Sequence, residues 1–83
     1  MKRFIVNSDV PAQMLDMPAW IGGVPKMLRK AKIENVKLKT AYCCTPERKV
    51  IAEFVGPDKE TVSNALSKIN MPFTVVMEAT KVD

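Results

Sequence analysis

The sequence predicts an α+β domain in which two helical segments cover one face of a four-stranded antiparallel sheet. Three observations predict it: four short runs carry apolar residues on the period of a strand, two intervening segments carry them on the period of a helix, and the middle two strand runs are joined by a turn too short for a crossover. A chain of 83 residues makes one domain, residues 1–83, with room for one core. A domain this small hides only about 60 to 65% of the surface its unfolded chain exposes, so a second apolar face is better placed against a partner than against water.

The first strand is read over Lys2–Asp9, with Phe4 and Val6 on one side and Ile5 on the other, closed by Pro11. From Asp16 to Ile33, the residues Trp20, Ile21, Val24, Met27, Leu28 and Ala31 form the stripe of a core-facing helix. Gly22, Gly23 and Pro25 interrupt that stripe, so the segment is either one kinked helix or two short ones, with Asp16 as N-cap and Pro18 in the first turn. The second strand covers Val36–Cys44. Strict alternation places Val36, Leu38, Thr40, Tyr42 and Cys44 on one face and Lys37, Lys39, Ala41 and Cys43 on the other. Thr45–Pro46–Glu47–Arg48 suits a hairpin turn, and Lys49–Val55 is the third strand, ended by Gly56 and Pro57. Asp58 caps a helix whose core positions are Val62, Ala65, Leu66 and Ile69, stopped by Asn70 and Pro72. A last strand is read over Phe73–Val82. The order strand, helix, strand, strand, helix, strand is the ferredoxin-like β-α-β-β-α-β pattern, with sheet order 4-1-3-2 by analogy with that fold.

Several strands carry apolar residues on both sides, as in Val50, Ala52 and Phe54 against Ile51 and Val55, where a one-sided sheet alternates more cleanly. The helix-free face is therefore expected to meet the same face of a second copy of the chain. A basic excess of 13 Lys and Arg over 9 Asp and Glu, with no histidine, leans toward anionic partners. The cluster Lys26, Arg29, Lys30 and Lys32, continued by Lys37 and Lys39, reads as a solvated helix face. Nucleic acid is not expected as a partner, because Phe4 and Phe54 stand without the aromatic motif of single-strand-binding modules of this topology. Two basic residues and a short apolar run before Asn7 match neither a signal peptide nor a membrane span, so the expected address is the cytoplasm and no membrane partner is expected.

Chemistry has few places to reside. Cys43 and Cys44, the two cysteines, are adjacent, so on a strand they point to opposite faces and cannot hold one ion from a single chain without a bulge. They are the candidate metal ligands, or one is a thiol whose thiolate Arg48 or Lys49 favours; the simpler reading is two small residues that pack well. The catalytic candidates are Tyr42, Glu53 and Glu78. Glu53 falls with Ile51 and Val55, where Lys37 or Lys39 is its expected counter-ion. Ligand-binding candidates are Trp20, Tyr42, Cys43 and Cys44. Gly22–Gly23–Val24–Pro25 lacks a phosphate-loop pattern and reads as relief of crowding at a kink.

The opening KRFIV, the long first crossover, the second strand ending in AYC, the run KVIAEFVGPDKETV and the late KINMP together resemble a family of small ferredoxin-like proteins of dimeric α/β-barrel type. Most of that family have no assigned function and one member binds nickel. The resemblance implies the fold and a dimer formed through the sheets; the family's histidine-bearing positions hold no histidine here, and nickel is not carried over. The leading reading is a homodimeric, non-enzymatic protein that binds a small apolar or anionic ligand, with no cofactor expected and a soft metal as the variant. The alternatives are a cofactor-free isomerase or oxygenase-like enzyme of the same barrel type, and a structural or protein-interaction module.

Overall fold

In a computed structural model, which describes residues 1–12, 14–80 and 82, the chain runs β1 (Lys2–Asp9), α1 (Met17–Gly22), α2 (Val24–Lys30), β2 (Lys37–Cys44), β3 (Lys49–Gly56), α3 (Lys59–Lys68) and β4 (Val75–Ala79). The strands form one antiparallel sheet in the order β2-β3-β1-β4, the ferredoxin-like arrangement. Its helices lie on one face, in a slab 33 × 32 × 19 Å. None of the described helices is long and apolar enough to cross a membrane.

The core follows from strand parity. Phe4 pairs with Phe54, Val6 with Ala52 and Ser8 with Val50 across β1 and β3, and all six are buried beneath the helices. Met17 and Ile21 of α1, Val24 and Leu28 of α2, and Val62, Ala65 and Leu66 of α3 close over them. The buried Ser8 hydroxyl donates to the Pro72 carbonyl, which satisfies it and ties β1 to the loop before β4.

The first crossover consists of two short helices. Pro25 has no N–H to give the Ile21 carbonyl, so the helix breaks at Gly23, which serves as the C-cap of α1 and the N-cap of α2. Asp16 caps α1 by accepting from the Ala19 N–H at 3.1 Å. Both α2 and α3 end in the same hydrogen-bonded motif. Lys32 N–H donates to Arg29 O and Ile33 N–H to Leu28 O, with Lys32 left-handed at φ 59°; Asn70 and Met71 repeat this over Ser67 and Leu66. Asparagine tolerates that conformation, whereas lysine stands where glycine is the relaxed choice.

Three sequence readings need correction. The last strand, expected over Phe73–Val82, covers only Val75–Ala79: Thr74 is taken up by the Asn7 carbonyl, to which both its N–H and its hydroxyl donate, and at the far end Thr80 and Val82 lie outside the strand, while Lys81 is not among the described residues. The faces of β2 switch midway: Leu38 pairs with Phe54 but Thr40 pairs with Glu53, a bulge at Lys39 that turns Ala41 and Cys43 toward the helices and Thr40, Tyr42 and Cys44 away. Finally, the sheet is open. β2 and β4 remain edge strands and no barrel closes, contrary to the barrel type that the family resemblance implied.

Two outcomes follow from these contacts. A Cβ at Gly56 would stand 2.6 Å from Val62 Cγ2, so α3 approaches the sheet as closely as it does only because residue 56 has no side chain. Gly56→Ala is expected to lower unfolding free energy by about 1 to 3 kcal/mol in urea titrations, and by much less in a Val62→Ala background; equal losses in both would contradict the contact. At the start of α3, the backbone N–H of Thr61, and secondarily its hydroxyl, hold the Asp58 carboxyl below its usual value of 3.8. Because the folded value is the lower one, the cap contributes fully above that usual value and is lost as pH falls through the folded one. Asp58→Asn is expected to flatten this acid-side dependence of Tm.

Candidate functional site

Parity assigns the second face as firmly as the first. Arg3, Ile5 and Asn7 of β1 lie opposite Val55, Glu53 and Ile51 of β3 on one side and Ala79, Met77 and Val75 of β4 on the other, and β2 adds Thr40, Tyr42 and Cys44. None of the described helices covers this layer. Six large apolar residues among those described are exposed; Met1, Leu15 and Val82 lie near the termini or in a loop, and the other three, Tyr42 (67%), Met77 (52%) and Val75 (40%), all stand on this face.

Its centre is electrically balanced. Arg3 Nη1 donates to Glu53 Oε2 at 3.4 Å, and the pair is part-buried. The counter-ion of Glu53 is thus Arg3 on β1, and the expected Lys37 or Lys39 is displaced by the bulge, which leaves Thr40 opposite Glu53 and Lys37 opposite Val55. Asn7 Oδ1 is buried with no hydrogen-bond partner, in a row between Ile51 and Val75.

The catalytic candidates do not converge. Tyr42 and Glu53 share the helix-free face, while Glu78 pairs with Phe4 on the other side of the sheet and lies 3.6 Å from Lys2 Nζ. Trp20 packs, partly buried, against the core. Cys43 sits opposite Val50 on the helix side and packs against the core, whereas Cys44 sits opposite Lys49 on the free face. The adjacent thiols therefore diverge, as alternation requires. Among the described residues there is no cluster of three or more Cys, Asp or Glu able to surround an ion. Arg48, considered as a neighbour that would favour a thiolate, is committed elsewhere: its Nη2 donates to the carbonyls of Pro11 (2.8 Å) and Met14 (2.5 Å), pinning the loop after β1.

A well-formed cleft lies away from all of these. A cleft of about 720 Å³ opens between α2 and β2, on an apolar floor of Leu28, Ile33, Val36 and Leu38, with Arg29, Lys32, Lys37 and Glu34 also in its walls. Sequence reasoning noted those cations only as a solvated face, counted Leu28 toward the core and placed Leu38 only on one face of the second strand. The available signal was the way basic and apolar residues alternate on both sides of the short connection from Ala31 to Val36, which folds α2 back along the edge strand.

No protein-family model, curated protein or solved structure matches the chain. The likeness to the dimeric α/β-barrel family is not upheld: the open sheet overturns its barrel assignment, and the likeness carries nothing further.

The divergence of the thiols has a direct readout. A thiol reagent is expected to modify Cys44 several-fold faster than Cys43 in the native protein, with Cys44→Ser removing the fast phase and denaturant equalising the two rates. Equal native rates would contradict the assigned faces.

Proposed function

We propose that the protein is a homodimeric, non-enzymatic binding protein whose two copies pair through their helix-free sheet faces. The observation that carries this reading is that Tyr42, Met77 and Val75, the large apolar side chains exposed away from the termini and the loop at Leu15, gather on one face beside the half-buried Ile5, Ile51 and Val55.

Size and charge favour a second copy as the occupant. Three strands of eight residues and one of five, spaced by about 4.8 Å, present roughly 450 Å² in projection, so a face-to-face pair hides on the order of 900 Å², the size of weak, reversible interfaces. Tyr42, Met77 and Val75 expose on the order of 300 Å² per chain; removing half of it from water on both chains is a gross gain of about 7 kcal/mol, comparable with the cost of association. The balance favours a reversible dimer. An isologous pairing also brings the neutral Arg3–Glu53 centres together without stranding a charge, and it offers the unpaired Asn7 acceptor a donor from the other chain. Glu78 lies on the opposite side of the sheet from Tyr42 and Glu53, and Glu53 is engaged by Arg3, which supports binding over catalysis.

Sedimentation from about 10 µM to 1 mM is expected to give a mean mass rising from 9.3 kDa toward twice that value. Because each chain carries +4, added salt is expected to strengthen the pairing. Tyr42→Glu combined with Met77→Glu is expected to abolish it while leaving the thermal transition of the monomer nearly unchanged, since both side chains are exposed. A constant 9.3 kDa across the whole range would overturn the proposal.

A further inference from the structure

We infer that the cleft between α2 and β2 binds an amphipathic anion, a molecule with an aliphatic body and a single negatively charged head. This rests on the reading of the protein as a binding protein, and it is independent of whether the chain dimerises.

The cleft, about 720 Å³, lies within the range of small-molecule sites. Its floor is aliphatic throughout: Leu28 and Val36 are nearly inaccessible, and Ile33 and Leu38 are half-buried, so they still present surface for an occupant to cover. No aromatic side chain lines it, which favours a flexible chain over a stacked ring. Three cations, Arg29, Lys32 and Lys37, stand against the single carboxylate of Glu34, and the exposed Lys26 and Lys30 of α2 add to the positive field around the opening. An apolar floor beneath a positive rim matches a ligand that is itself divided into an oily part and an anionic part.

Part of that charge has another use. Arg29 and Lys30 occupy the last turn of α2, where cations complement the helix carbonyls whatever else they do. Lys32 is different: it lies past the helix at φ 59°, in a position that glycine would fill without strain, yet it lines the cleft. A residue kept there for stability alone would be glycine or asparagine, as Asn70 is at the equivalent point of α3. Lys32 therefore separates binding from stability in one substitution.

The test titrates the protein with decanoate, kept below its micellar concentration, and follows backbone amide shifts. The same titration is run on the Tyr42→Glu/Met77→Glu variant, so that failure of self-association does not obscure the cleft. The expected result is saturable binding with a Kd on the order of 0.1 mM, with the largest shifts at Leu28, Ile33, Val36 and Leu38 in both proteins. Decanol and inorganic phosphate, which each lack one half of the ligand, are expected to bind at least tenfold more weakly. Added salt is expected to weaken decanoate binding, opposite to its effect on the dimer. Lys32→Gly is expected to raise Tm and weaken binding about three- to fivefold, the scale of one exposed ion pair. Shifts confined to the sheet face, equal affinity for decanol or phosphate, no saturable binding, or unchanged affinity in a more stable Lys32→Gly protein would each overturn the inference.

Discussion

The structure depends on the packing of the central pair Phe4 and Phe54 beneath the helices. Both are fully buried, they lie directly opposite one another on β1 and β3, and each fixes the parity of its strand. Once those rings face the helices, Val6, Ser8, Val50 and Ala52 must do so too, and Arg3, Ile5, Asn7, Ile51, Glu53 and Val55 must face away. A slip of one residue in β1 would expose Phe4 and bury Arg3, and one in β3 would expose Phe54 and bury Glu53. The close approach of α3 at Gly56 and the seal of Ser8 on Pro72 then hold the second half of the chain to the same face. The two-sided apolar character of β1 and β3 is thus a property of the sheet and not an accident of composition.

Strand β2 is where the two proposed surfaces meet. Before the bulge at Lys39 it presents Leu38 to the helix side, in the wall of the cleft; after it, Thr40 and Tyr42 lie on the face proposed to receive a second copy. As an edge strand it has neighbours on one side only, which leaves room for a bulge and for a cleft beside α2. Its opposite end is steadied by Arg48, whose left-handed backbone closes the hairpin and whose side chain reaches the Pro11 and Met14 carbonyls. One strand therefore carries both a wall of the concave surface and part of the flat one.

Much of this was legible in the residues. Strand β1 has the expected bounds because Lys2 and Asp9 flank an alternating run, and α3 is delimited by Asp58 at one end and by Asn70 and Pro72 beyond the other. Pro25 announced the break in the first crossover but not that Gly23 would cap both halves. The faces of β2 were not legible, because Leu38–Lys39–Thr40 contains no glycine or proline to mark a bulge; the shift follows from which residues β3 offers as partners. For the same reason the counter-ion of Glu53 was sought on the wrong neighbour. The cleft was hidden differently. Its floor and its charges come from two elements whose juxtaposition exists only once α2 has folded back along β2, and each residue had an adequate explanation taken alone.

The central claim is that the helix layer closes one side of the sheet and leaves the other apolar enough to recruit its own kind. The most direct measurement is the relaxation caused by a soluble paramagnetic agent at side-chain signals, in dilute and in concentrated protein. The account predicts that Ile5, Tyr42, Ile51, Val75 and Met77 are strongly relaxed when dilute and shielded when concentrated, while Val62 and Leu66 stay shielded throughout. Shielding that never develops on those five residues, or that develops over the helices instead, would contradict it.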